Sequence, residues 1–357
     1  MVKAVVLAEG CLGEDMGKTA NGLVLHSMKD EIVAAIDSTR VGKDAGEVVS
    51  GKKNGIPVVA SFEEAYTKFK PQALYLGAAT VGGVLPPTFI DAINSALGKG
   101  LTVYNGLHTF LRDDPRFVPL MKNGAKIVDV RRPPENLRVA DGRVYDLKVP
   151  RVLVMGTDCA VGKRMTVVEL IKEAKKRGIN AGFVATGQTG CMLGPDAGAV
   201  IDRVPSDFCA GQVEQMVCDV AAQGKDIVFI YGQASIMHPA YSGVSLSILH
   251  GSAPNAIILQ HDPVRKQRTL FKNPNFKVAP IKEEIDLIQR LGTGKVVGIA
   301  INGKNSEDID MDTAAVAKQT GLPAVDPLQR SASLLLEACL EELTRKNVYK
   351  PRTETAV

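Results

Sequence analysis

Residues 152–166 read VLVMGTDCAVGKRMT, and this stretch decides the fold. Its first four residues are apolar and of strand length, Gly156 opens a loop, and Gly162-Lys163 closes it before a helical pattern begins. The spacing is that of a phosphate-binding loop. Backbone N–H groups of the loop and of the helix start converge on an anion, and the lysine adds a point charge. Gly156, Thr157, Asp158, Cys159, Ala160, Val161, Gly162, Lys163, Arg164 and Met165 are therefore the expected phosphate contacts.

A nucleotide hydrolase carries the Ser or Thr that holds Mg²⁺ directly after the lysine, where this chain has Arg164. The run IVFIYGQAS, residues 227–235, ends its strand in Tyr231 rather than in an acidic second ligand, and Asp226 stands at the wrong end. Thr166 could supply the hydroxyl only if the helix started late, and Asp158 a carboxylate only if it turned inward. Losing both ligands favours a phosphate ligand that needs no metal. Coenzyme A, with a diphosphate and a ribose phosphate, is such a ligand, and no metal is expected. Met16-Gly17-Lys18-Thr19 matches the three-letter motif better, but Leu12 stands where its first glycine should be. Asn21-Gly22 reads as a turn, so Gly17–Thr19 is expected to be a loop.

Outward from the loop, apolar runs alternate with amphipathic stretches, the pattern of parallel sheets with helices on their faces. Strands are expected at 4–7, 32–36, 58–59, 73–76, 101–104 and 126–129, with helices at 62–68, 87–97 and 115–122. The stretch RRPPENLRVADGRVYDLKVP, 131–150, breaks the rhythm with prolines and charges. The expected organisation is an α/β chain of a Rossmann-like domain over 1–135, a linker over 136–150, and a P-loop domain over 151–350. In the latter, strands are expected at 152–155, 181–185, 227–231, 256–260, 296–301 and 324–325, with helices at 163–177, 207–222, 283–289, 312–320 and 331–346.

Composition excludes several classes. The 357 residues are 45% hydrophobic and 23% charged with a net charge of +4, and Trp is absent. A nucleic-acid binder would be more basic, with aromatic residues among its cations. Cys11, Cys159, Cys191, Cys209, Cys218 and Cys339 show no C-x-x-C pair, which suits reduced thiols and a cytoplasmic protein. No apolar run is long enough to span a bilayer. A homo-oligomer is expected.

Two loops, ATGQTG (185–190) and YGQASIMHPAYSG (231–243), each place Gly-Gln before a hydroxyl residue. Gln188, Thr189 and Ser235 are expected to touch substrate, with Gln188 and Gln233 facing each other if their strands flank the P-loop strand. Gln233 and Tyr241 are candidate catalytic groups, and His238 is the candidate base because imidazole exchanges protons near neutrality. Arg40, Lys43 and Arg131 are candidate partners for substrate carboxylates. Cys159 is read as a loop-packing residue. The first strand is not followed by G-x-G-x-x-G, so dinucleotide binding is not expected.

GTDCAVGK, FVATGQTG, HPAYSGVSLSILHGSAP and GLPAVDPL, with AAIDSTRVGKDAGEVVSG and NGLHTFLRDDP upstream, resemble one bacterial and archaeal family, long known only as a domain of unknown function. That family includes D-glutamate N-acetyltransferases. The second half is also similar to the dethiobiotin synthetase type of P-loop domain, with its G-T-D-x-x-V-G-K spacing. The resemblance implies acetyl transfer from acetyl-CoA to an amino acid such as D-glutamate. The chain departs from the family pattern at Tyr231 and Ala234, where Glu-Gly-Gln-Gly-Ser is usual, and at Arg164, where Met is. A Mg-ATP kinase or ligase and a non-catalytic nucleotide binder are the alternatives.

Overall fold

The structure, a computed structural model, describes residues 1–268 and 273–350. It divides into two compact units. One comprises Met1–Pro133 together with Gln188–Pro195, and the other Pro134–Gly187 with the chain from Asp196 onward.

The first unit contains β1 (Lys3–Leu7), α1 (Lys18–His26), β2 (Glu31–Ile36), α2 (Ala45–Ser50), β3 (Val58–Val59), α3 (Phe62–Phe69), β4 (Ala73–Leu76), α4 (Ile90–Gly98), β5 (Thr102–Asn105) and β6 (Lys126–Asp129). Its sheet runs β3-β2-β1-β4-β5-β6 with parallel pairs throughout, the Rossmann order. Asp37 follows β2, where dinucleotide enzymes carry the acid that meets a ribose. Here its carboxylate accepts from the N–H groups of Gly10 (3.2 Å), Leu12 (3.1 Å) and Thr39 (3.0 Å). Burial opposes its ionisation, but these bonds and the Thr39 hydroxyl hold its pKa below the usual carboxylate value. The acid thus closes the first loop instead of facing a ribose.

Two expected elements differ in this unit. Lys18 and Thr19, expected in a loop, and Asn21-Gly22, expected as a turn, all lie in α1, which begins directly after Gly17. A Cβ on Gly17 would lie 1.9 Å from the Cys11 carbonyl oxygen, so this approach requires glycine. Asn21 does not turn the chain: from inside the helix its side chain accepts from Gly13 N–H (2.9 Å) and donates to the Glu14 carbonyl (3.0 Å). The helix expected at 115–122 shrinks to one 3-10 turn at Val118–Leu120, because Pro119 has no N–H to continue a ladder.

The second unit contains β7 (Arg151–Gly156), α5 (Lys163–Lys176), β8 (Ala181–Ala185), β9 (Ala197–Gly198), α7 (Cys209–Ala221), β10 (Ile227–Tyr231), α8 (Ser242–Ser252), β11 (Ala256–His261), α9 (Ile281–Leu291), β12 (Lys295–Ile301), α10 (Ile309–Thr320), β13 (Ala324–Val325) and α11 (Ser333–Arg345), while α6 (Gln188–Leu193) belongs to the first unit. The sheet order is β13-β12-β11-β7-β10-β8-β9, all pairs parallel. Every residue of β7 is buried, which is why it reads as an unbroken apolar run: both faces of a central parallel strand are covered. Helix α8 was not among the expected helices, and its first two residues fall in the stretch 231–243 read as a loop. Residues 136–150, expected as a linker, are fixed to α7, where buried Glu214 accepts the N–H groups of Asp141 (3.0 Å) and Gly142 (2.9 Å). Among the described residues, no helix is long and apolar enough to cross a membrane.

Candidate active site

The P-loop leaves the carboxyl end of β7 between its neighbours β10 and β11, the place where open parallel sheets bind ligands. Gly162, at φ 110°, turns the chain into α5. A Cβ on Gly156 would lie 2.9 Å from Lys163 Nζ, so the first glycine makes room for the lysine to pass under the loop. Lys163 Nζ donates to the Asp158 carbonyl at 2.6 Å. Burial drives its pKa down to about 8. Cys159 is half-buried, and Ala160 forms the exposed crest at φ 51°. Val161 is fully buried beneath the loop and Met165 is partly exposed.

The hydroxyl considered for a metal is already engaged. Because α5 starts at Lys163, Thr166 lies on the first turn facing β11, where its Oγ1 donates to Gln260 Oε1. The Thr157 hydroxyl is bonded to His261 Nδ1 (2.9 Å), and burial followed by Arg265 takes His261 down to about 4, so it is neutral. Asp158 does turn inward, but toward cations. Its carboxylate is fully buried, 3.2 Å from Arg265 and 3.5 Å from Arg268. Asp158, Cys159 and His238 offer ligand atoms within 4.8 Å of one another. With two guanidinium groups already against the carboxylate, a divalent cation there would face like charge at contact distance.

His238 is fully buried, its Nε2 3.6 Å from Asp158 Oδ1. Its Nδ1 accepts the N–H of Ala240 at 3.1 Å, so a neutral ring carries its proton on Nε2 toward Asp158. Burial, then Arg268, lowers its pKa. The ring has no open lone pair for a substrate proton and acts instead as a strut between the loop at 238–241 and the P-loop. Tyr241 packs against it with the rings tilted by 33° and centroids 4.7 Å apart, and it is partly exposed, its pKa raised by burial.

The other expected residues divide. Ser235 is enclosed rather than open to substrate: its hydroxyl donates to Glu284 Oε2 at 2.8 Å, and Ile236 N–H donates to Oε1 at 2.9 Å. Gln233 donates its side-chain N–H to the Thr186 carbonyl, tying β10 to β8. β8 borders β10 and not β7, so the two glutamines do not flank the P-loop strand. Gln188 and Thr189 begin α6 within the first unit, where the Thr189 hydroxyl bonds that of Thr19 at 2.9 Å. Arg40 pairs with Glu14 at 2.9 Å, Lys43 is exposed, and Arg131 is buried with its Nε on the Gly106 carbonyl at 2.8 Å. Arg164, on the first turn of α5, is partly buried near Tyr231, and burial lowers its pKa.

Sequence reasoning missed Arg265, Arg268, Gln260 and Glu284. Arg268 donates to the Thr157 carbonyl (3.1 Å) and to the Met237 carbonyl (3.1 Å), stitching the P-loop to the loop after β10. The run HDPVRKQR, leaving a strand beside the P-loop, was a legible signal for the arginines. Glu284, on α9 and kept above the usual carboxylate pKa chiefly by burial, carried none.

Ala234 follows Gln233 at φ 27°, a left-handed conformation that an L-alanine adopts only under strain. Ala234→Gly is expected to stabilise the fold by about 1 kcal/mol and raise Tm by roughly 2–4 °C, measured by calorimetry. An unchanged or lowered Tm would show the backbone is unstrained there.

Two family models match the chain: a P-loop domain of unknown function (DUF1611_C) over residues 138–336, and a Rossmann-like domain of unknown function (DUF1611_N) over 38–133. A protein from Tritonibacter scottomollicae named D-glutamate N-acetyltransferase is 35% identical over 275 residues, covering 75% of this chain and 80% of the relative. One of the same name from a Pseudoalteromonas species is 34% identical over 269 residues, 73% and 79% of the two chains. The crystal structure of a DUF1611 family protein from Anabaena variabilis superposes with a TM-score of 0.88 at 36% identity, covering 96% of this chain and all of that one.

Proposed function

The chain belongs to the DUF1611 family, and we propose that it is an N-acetyltransferase that moves an acetyl group from acetyl-CoA to the amino group of D-glutamate. The observation that carries this reading is the P-loop itself: a buried Lys163 followed by Arg164, with Thr166 engaged by Gln260 and Asp158 by arginines. Such a loop suits a diphosphate held without Mg²⁺, and the names of the two relatives supply the reaction.

In this reading the loop from Gly156 to Met165 holds the diphosphate, with Lys163 and Arg164 as its cations. The reaction breaks the thioester C–S bond, forms the amide C–N bond, and passes the amine proton ultimately to the departing thiolate. The thioester is separated from the diphosphate by the pantetheine arm, about 15 Å when extended, given bonds of about 1.5 Å. His238 and Tyr241 lie against the P-loop, hence at the phosphate end. We therefore assign them to positioning the loop and do not assign a base. Of the cations considered for the substrate carboxylates, Arg131 is committed to the Gly106 carbonyl, Arg40 is paired with Glu14, and Lys43 is exposed.

The test is acetyl transfer to D- and L-glutamate, followed by thiol release and mass spectrometry, with and without EDTA. N-acetyl-D-glutamate is expected at rates that EDTA leaves unchanged. Metal-dependent ATP turnover with no acetylated product would overturn the proposal.

A further inference from the structure

Beside the P-loop lies a second basic feature that the diphosphate does not use. The chain leaving β11 returns over the loop's crest, because Gln260 pairs with Gly156 in the sheet and Arg265 donates to the Cys159 carbonyl at 2.7 Å. There it forms a pocket of about 330 Å³, whose walls include His261, Arg265, Lys266, Lys277 and Gln319. Lys266 and Lys277 stand on facing legs of one antiparallel pairing, fixed by the Gln267–Lys277 bridge and by Val278 N–H on the Lys266 carbonyl at 3.0 Å.

Arg265, Lys266 and Lys277 all line this one pocket, and cations gathered there repel one another unless an anion lies among them. The acid closest in sequence, Asp262, is 1% exposed and already 3.2 Å from Arg265. Among the described residues, no carboxylate forms an ion pair with Lys266 or Lys277. His261 is neutral and adds no charge of either sign.

We infer that this pocket binds the 3′-phosphate of an adenosine 3′-phosphate 5′-diphosphate, the nucleotide end of coenzyme A, while the P-loop holds the diphosphate. The inference rests on the coenzyme A reading above and adds its nucleotide specificity. A 3′-phosphate is one ribose away from the diphosphate, which suits a pocket bordering the P-loop. ATP and ADP have no group to place there, so the pocket selects coenzyme A over ordinary nucleotides.

The experiment is calorimetric titration of the full chain with coenzyme A and with 3′-dephospho-coenzyme A, repeated for the Lys266→Ala/Lys277→Ala double variant. A control, Lys175→Ala/Lys176→Ala, removes the same charge from the far end of α5. Wild type and control are expected to bind coenzyme A at least tenfold tighter than the dephospho form. The double variant should bind both with the wild-type affinity for the dephospho form. Equal affinities in wild type, or discrimination retained in the double variant, would overturn the inference while leaving the acetyltransferase reading intact. Failure of wild type to bind either compound would overturn both.

Discussion

Lys163→Ala is expected to weaken acetyl-CoA binding by about 10- to 150-fold, the equivalent of one charged hydrogen bond of roughly 1.5–3 kcal/mol. The loss should appear in the dissociation constant while the fold survives, because the variant removes a cation that the empty protein buries at a cost. The affinity should also follow the lysine's titration. Burial holds its pKa down near 8 from 10.5, and a bound phosphate favours the charged form. Binding therefore takes up a proton above pH 8, and affinity should fall by at most tenfold per pH unit as pH rises from 8 toward 10. Folding responds in the opposite sense. Between about 8 and 10.5 the unfolded chain retains a proton that the folded chain has released, so this group makes the empty protein more stable as pH climbs. Titrations of acetyl-CoA at several pH values check this, and Lys163→Met should flatten the profile. A wild-type profile flat from pH 7 to 10 would remove Lys163 from the phosphate site.

How much of this was legible in the sequence follows from how local each feature is. β7, the P-loop and α5 form one continuous stretch, so their identity and order could be read from spacing alone. Most strands were also legible as apolar runs, the two-residue β9 (Ala197–Gly198) being the one that was not expected. Helix α1 was not, since what permits it is the approach of Gly17 to the Cys11 carbonyl and the reach of Asn21 back to Gly13. The roles of Ser235 and His238 failed for a related reason. Both look like active-site residues by type, but their partners, Glu284 and Asp158, are distant in sequence, and only the folded chain shows their polar atoms turned toward those carboxylates. The surroundings of Asp158 were only partly legible. It turns inward, and the arginines that meet it come from the basic run HDPVRKQR after β11, whose role shows only once β11 lies beside β7.

Arg268→Ala is expected to cost about 3–5 kcal/mol of stability, the largest effect of any single change at this site. The guanidinium is 2% exposed and serves three partners: the Thr157 and Met237 carbonyls and the Asp158 carboxylate. Its removal takes the donor from the Thr157 and Met237 carbonyls and one of two guanidinium groups from buried Asp158. It also removes a charge that favours the ionised form of Glu284, whose pKa burial already raises. An acid with a raised folded pKa destabilises the fold increasingly as pH rises above its unfolded value. The deficit of the variant should therefore be larger at pH 8 than at pH 5. His238 works in the same direction: Arg268 helps keep its pKa low, so without it the ring takes up a proton more readily in acid, beside Asp158. Lysine should rescue only partly, since one ammonium cannot replace a guanidinium fork aimed at two carbonyls. Removing charge on both sides, as in Arg268→Met with Glu284→Gln, should recover part of the loss, because an uncompensated buried charge is worse than none. Denaturant unfolding at both pH values measures all three variants. A loss below 1 kcal/mol at pH 8 would mean that the P-loop and the loop after β10 hold together without this arginine, and the tie between the phosphate grip and its buried charges would fail.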